Sequence, residues 1–139
     1  MERTANNNGT KALRFVLWIT QLLLVLMFGM SGWMKSFYSP EQLVMYVPWS
    51  ADVPHLLVRF IGAGELLGAA GLVLPSLTRI KPGLTALAAL FLALTMVFAI
   101  GFHLARGETA AVTMPLLLGL LAAFVAWARH YRAPINPRS

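Results

Sequence analysis

Apolar residues gather into four long runs, Phe15–Met34, His55–Leu74, Gly83–His103 and Val112–Ala128, with short polar or breaker-rich stretches between them. At 1.5 Å of rise per residue, about 20 residues of helix cross a hydrocarbon layer roughly 30 Å thick. A segment in lipid must satisfy its own backbone hydrogen bonds, so each run is predicted to be a helix. Pro75, the Lys81-Pro82-Gly83 turn and Arg106-Gly107 mark expected ends. The pattern predicts an all-α, polytopic membrane protein, a four-transmembrane-helix bundle over residues 12–132. Residues 1–11, with the Asn6-Asn7-Asn8-Gly9 stretch, read as a disordered N-terminal tail, and residues 133–139 as a C-terminal tail.

The connection from Lys35 to Pro54 is the only sizeable one. Ser39-Pro40-Glu41 reads as an N-cap, a proline in the first turn and an early acid. Gln42 to Val47 would then form a short amphipathic helix, ended by Pro48-Trp49, lying on the membrane surface as a lid or as a plain connector. The basic start, the apolar run and Gly29-Met30-Ser31-Gly32 imitate a secretory signal. The run is long for one and continues through Trp33-Met34, so it reads as a retained anchor.

Composition agrees with this picture. Of 139 residues, 58% are hydrophobic and 12% charged, whereas a soluble domain carries about 25% charged residues. There is no cysteine, which excludes a disulfide framework, a thiol relay, a Cys-ligated iron–sulfur cluster and c-type haem attachment within the chain. The formal net charge is +6. The basic residues punctuate apolar runs rather than forming a patch, so no nucleic-acid partner is expected.

Their distribution predicts orientation. Arg3, Lys11 and Arg14 precede the first run, Arg79 and Lys81 separate the second from the third, and Arg129, Arg132 and Arg138 follow the fourth. The opposite side has only Lys35 and Arg106, with Arg59 inside the second run. The positive-inside rule therefore expects both termini in the cytoplasm, in a multi-pass inner (plasma) membrane protein. Trp18 and Trp127 fall near one interface, Trp33 and Trp49 near the other.

Ionisable groups inside spans are costly and need a reason. The second run carries His55, Arg59 and Glu65, with Arg59 about 6 Å and Glu65 about 15 Å below His55 along the helix. Lys35 and His103 arrive at the same side, so the polar groups gather in the outer half of the bundle and none in the inner half. Arg59 could reach toward His103, Glu41 or Asp52, or serve as an interfacial anchor. Glu65 leans toward Arg59, or carries a proton and bonds a neighbouring helix. It is either interhelical glue or a ligand- and proton-handling group. His103 reads as an interfacial or hydrogen-bonded histidine. A bis-His haem between His55 and His103 has no support beyond their levels, and no metal site is expected. Gly64, Gly68 and Gly71 fall on one stripe of the second run and read as helix packing, not as ligands.

Gly32-Trp33-Met34-Lys35, the Arg59-x-x-Gly62-x-x-Glu65-Leu66 core with its closing Pro75, and His103 together resemble the DoxX-like membrane proteins. The resemblance covers Lys11 to Arg132 and implies a four-helix membrane bundle. It also implies a candidate site of Lys35, Arg59, Glu65 and His103. The family's name comes from subunits of an archaeal thiosulfate:quinone oxidoreductase, other members are linked to thiol or quinone stress, and distant relatives include a receptor-assembly chaperone.

Three functions follow. The first is a subunit or accessory of a quinone-linked membrane oxidoreductase, with a polar pocket in the outer half of the bundle and quinone as the one cofactor implied. Its partners would be the lipid membrane and an oxidoreductase subunit or a second copy. The second is a non-catalytic assembly or interaction protein. The third is a small proton-coupled exporter, although such chains keep their membrane Glu in the first span and show a weaker charge bias. No Ser/His/Asp arrangement, phosphate loop or metal spacing supports independent catalysis.

Overall fold

The computed structural model describes residues 2–139, with side chains from residue 7 onward. The order is α1 (Glu2–Phe37), α2 (Pro40–Tyr46), a 3-10 turn (Pro48–Asp52), α3 (His55–Thr78), α4 (Gly83–Ala105), a second 3-10 turn (Thr109–Val112) and α5 (Thr113–Trp127), which ends in a π turn (Ala128–Arg132). Four helices, Asn7–Phe37, His55–Thr78, Gly83–Ala105 and Thr109–Arg132, are long and apolar enough to cross a membrane. The described residues are all-helical, with no strand.

Two boundaries differ from the sequence expectation. The first helix starts at Glu2 and takes in the Asn6–Gly9 stretch expected to be disordered. It is continuous with the apolar run, and an already nucleated helix extends at small cost per residue. The second span does not stop at Pro75 but continues to Thr78, where Arg79 caps it in the left-handed conformation with its N–H on the Pro75 carbonyl. A proline removes one helical hydrogen bond, which a membrane bundle tolerates.

Around the bundle the order is α1, α3, α4, α5, with α1 packed most extensively on α3, α4 on α5, and α5 closing more sparsely on α1. The core is a band containing Leu17, Leu24, Phe28, Leu72, Leu92, Met96 and Val125. The outer surface is apolar: Leu67 is 75% and Phe98 77% exposed, as a lipid-facing surface requires. The buried positions of α3 include Val58, Gly62, Glu65, Ala69, Leu72 and Ser76, alternating by four and three residues. That spacing keeps one stripe facing neighbouring helices. On α1 the matching stripe runs Leu17, Gln21, Leu24, Phe28, Gly32, Lys35.

The α1–α3 connection caps one end, called here the loop end. Ser39 caps α2 by accepting from the Gln42 N–H, while the Gln42 side chain accepts from the Ser39 N–H, a complete capping box. Leu43 and Val47 of this segment pack on Val58, so the amphipathic piece is seated on the bundle by its own small core.

Candidate functional site

Lys35 and Glu65 lie on the two facing stripes of α1 and α3, and the crossing brings them together. Lys35 Nζ donates to Glu65 Oε1 at 2.7 Å and to Ser31 Oγ at 2.9 Å. The pair is buried, Glu65 being 2% exposed. The ammonium also lies 5.7 Å from the centre of the Trp49 ring, a cation–π contact that orients the lysine. Glu65 Oε2 and Ser36 Oγ are buried without a hydrogen-bond partner.

The approach of the two helices depends on two glycines. A Cβ on Gly32 would lie 2.8 Å from the Gly62 carbonyl oxygen, and one on Gly62 would lie 2.9 Å from the Gly32 oxygen. Real Cβ contacts are not this short, so only glycine fits at either position. Gly68 and Gly71 face α4 instead, against Leu92 and Ala88, and Gly64 approaches the Phe91 ring.

His103 sits on the buried stripe of α4 and is placed in a second cluster at the loop end. Its Nδ1 lies 2.7 Å from Glu108 Oε2, while Arg106 donates through Nε to Glu108 Oε1 at 2.8 Å and through Nη2 to Asp52 Oδ2 at 2.7 Å. The chain turns back here through Gly107 at φ +73°. The Glu108 N–H reaches the His103 carbonyl and the Gly107 N–H reaches that of Leu104, which is a Schellman ending. Hydrogen bonds from His103 and Arg106 hold the Glu108 carboxyl below its ordinary range. Glu108 and Asp52 hold Arg106 firmly protonated. The cluster ties the α4–α5 turn to the α1–α3 connection, and Trp49 against Phe102 at 5.5 Å runs alongside it.

Arg59 joins neither group. It is exposed and donates from Nε to His55 Nε2 at 2.9 Å. It reaches none of Glu65, His103, Glu41 or Asp52 by a hydrogen bond or ion pair. Position 59 lies off the Val58–Gly62–Glu65 stripe and points along the lipid-facing side with Leu56 and Phe60. His55 and His103 serve different clusters, the first bonded to Arg59 and the second to Glu108.

The other end, where α1 begins and α5 finishes, is not empty of polar groups. Gln21 Nε2 donates to the Leu72 carbonyl at 2.6 Å, and Ser76 and Thr85 hydroxyls share a 2.8 Å bond. Arg129 donates through Nε to Gln21 Oε1 at 2.6 Å. The sequence counted Arg129 among the basic residues that follow the fourth run, but it is buried. This cluster could have been found by asking which polar residues fall on the core stripes, since Gln21, Ser76, Thr85 and Arg129 all do.

The fold and the site thus define a four-span membrane bundle whose first two spans are joined by a buried lysine–glutamate pair. The model of the DoxX-like family matches residues 19–125, most of the chain and every residue of the pair and the His103 cluster, and the chain belongs to that family. No curated protein and no solved structure matches it. It is a multi-pass integral membrane protein.

Proposed function

We propose that this protein is a membrane subunit or accessory of a quinone-linked oxidoreductase, and that the Lys35–Glu65 pair holds the polar head group. One observation carries this reading: Glu65 Oε2 is buried and unpartnered while Oε1 holds the ammonium. A buried carboxylate oxygen left without a donor is unfavourable, and a quinol hydroxyl would supply that donor. Lys35 keeps Glu65 oriented, and a third ammonium proton remains for a carbonyl oxygen. Trp49 offers an aromatic face beside it. A quinone would supply two-electron chemistry, the electrons passing to or from a partner subunit. This chain would bind, orient and take up a proton at Glu65 Oε2. By its charge distribution the loop end faces outward and both termini lie in the cytoplasm, in the inner membrane.

The test is saturable quenching of Trp49 fluorescence by a short-chain quinone in nanodiscs. Glu65→Gln and Lys35→Met should weaken binding at least about tenfold, and Arg59→Ala should not. Unsaturable quenching in the native protein, or equal affinity in Glu65→Gln, would overturn the reading.

The tight Gly32–Gly62 crossing favours a second reading, a non-catalytic assembly protein in which the pair fixes how α1 meets α3. A buried ion pair can specify geometry without adding stability. On that reading, a Lys35→Met/Glu65→Leu protein binds no quinone in either form and loses partner capture only if the crossing shifts.

A further inference from the structure

At the tail end of the bundle a cavity of about 280 Å³ is lined by Arg14, Trp18, Ser76, Arg79, Arg129 and Asn136 among others. Three arginines therefore line one space. The described Asp and Glu side chains lie elsewhere: Glu41, Asp52 and Glu108 belong to the loop end, and Glu65 lies eleven residues, about 16 Å of helix, from Ser76. None of the ion pairs among the described residues includes Arg14, Arg79 or Arg129.

Two of the three arginines, Arg129 and Arg79, are held rather than merely adjacent. Arg129 is 5% exposed. Its Nε is fixed by Gln21, its Nη1 points to the Ala133 carbonyl at 3.4 Å, and its plane lies 5.6 Å from the Trp18 ring centre. Its Nη2 is buried with no partner. Arg79 is anchored by donating from Nε to the Asn136 carbonyl at 3.2 Å and from Nη2 to the Pro137 carbonyl at 3.3 Å. The Arg138 N–H returns to the Arg79 carbonyl at 3.0 Å, so the C-terminal segment forms one wall. Structural carbonyls satisfy part of this donor array, and among the described residues no ion pair neutralises its charge. Arg14, Trp18, Arg129 and Asn136 all lie outside residues 19–125, the stretch matched to the family.

We propose that this cavity is a binding site for a phosphate group. Planar guanidinium donors suit phosphate oxygens, and the unpartnered Arg129 donor would gain an acceptor. The group is carried either by an anionic lipid head group, reached at the ends of the spans, or by a free phosphate in solution. The site works independently of the Lys35–Glu65 pair, which lies at the other end.

Native mass spectrometry of the full chain in detergent, titrated with phosphatidylglycerol and separately with inorganic phosphate, tests this. Arg14→Glu, at an exposed position, and Arg129→Gln should each reduce retention of the bound species about tenfold, the loss of one charge-assisted contact. Lys11→Glu, one turn away on the same helix and outside the cavity lining, makes the same charge change and should leave binding intact. Loss confined to phosphatidylglycerol identifies a lipid head group, and loss with inorganic phosphate identifies a soluble ligand. Equal weakening by Lys11→Glu and Arg14→Glu, or binding of neither probe by the native chain, would overturn the proposal. Arg14→Glu keeps the test decisive should Arg129→Gln fail to fold.

Discussion

Gly62 and Lys35 meet so closely at the α1–α3 crossing that a methyl group on Gly62 would lie 2.6 Å from Lys35 Cβ and 2.8 Å from Ser36 Oγ. The absence of a side chain at one position is what allows a charged side chain at the other to run inward to Glu65. Packing and electrostatics are one feature here.

Gly62→Ala should therefore force the two helices apart and break the Lys35–Glu65 contact. The expected loss is about 1–3 kcal/mol, the usual cost of overpacking, read by unfolding in mixed micelles. Gly64→Ala, facing only the Phe91 ring at 3.3 Å, should cost distinctly less.

Removing one partner of the pair strands the other. Lys35→Ala should cost about 3–5 kcal/mol, whereas the double replacement Lys35→Met/Glu65→Leu should recover most of it. A double-mutant cycle on unfolding free energies measures the difference. Losses in the two single variants that simply add in the double variant would show that the two residues are not coupled.

Glu108 gives a pH dependence at the loop end. Its carboxyl is held below the ordinary value of 4.5 by His103 and Arg106. A depressed carboxyl stabilises the fold above its unfolded pKa and loses that contribution as pH falls through the folded value. Thermal stability should thus be flat near neutrality and decline below about pH 4.5. Glu108→Gln should flatten part of that acid limb, as scans from about pH 7 to about pH 3 would show.

The neighbouring turn is a backbone matter. Gly107 has φ +73° and open space where a Cβ would go. Gly107→Ala should cost about 1 kcal/mol from conformation alone, with the quinone-quenching response of Trp49 unchanged.

Orientation is open to direct labelling because the chain has no cysteine. Ala51→Cys in the loop-end connection should react with an impermeant thiol reagent from outside intact cells. Ile80→Cys, 63% exposed between α3 and α4, should react only after permeabilisation. The reverse pattern would place both termini outside.

The spans were legible because membrane thickness fixes the length of an apolar run, whatever its details. Their ends were less so: Pro75 reads as a stop in water, yet the helix passes through it. The identity of Glu65's partner was not legible from its own helix. Arg59 is close in sequence, but six residues turn the helix about 120° off register, and the true partner comes from another span. The signal that was present is the four-and-three stripe. Carrying it from Leu17 to Lys35 and from Val58 to Ser76 would have selected Lys35, Glu65, Gln21 and Ser76, and would have left Arg59 out.

The hydrogen bond from Arg129 to Gln21 joins residues 108 positions apart, the first span to the last. That donor follows α5 in the chain, so the Gln21 amide reaches its full set of native hydrogen bonds only once the last span has been made. Assembly of this bundle therefore cannot finish span by span: its first helix stays provisional until the ribosome has delivered the last one.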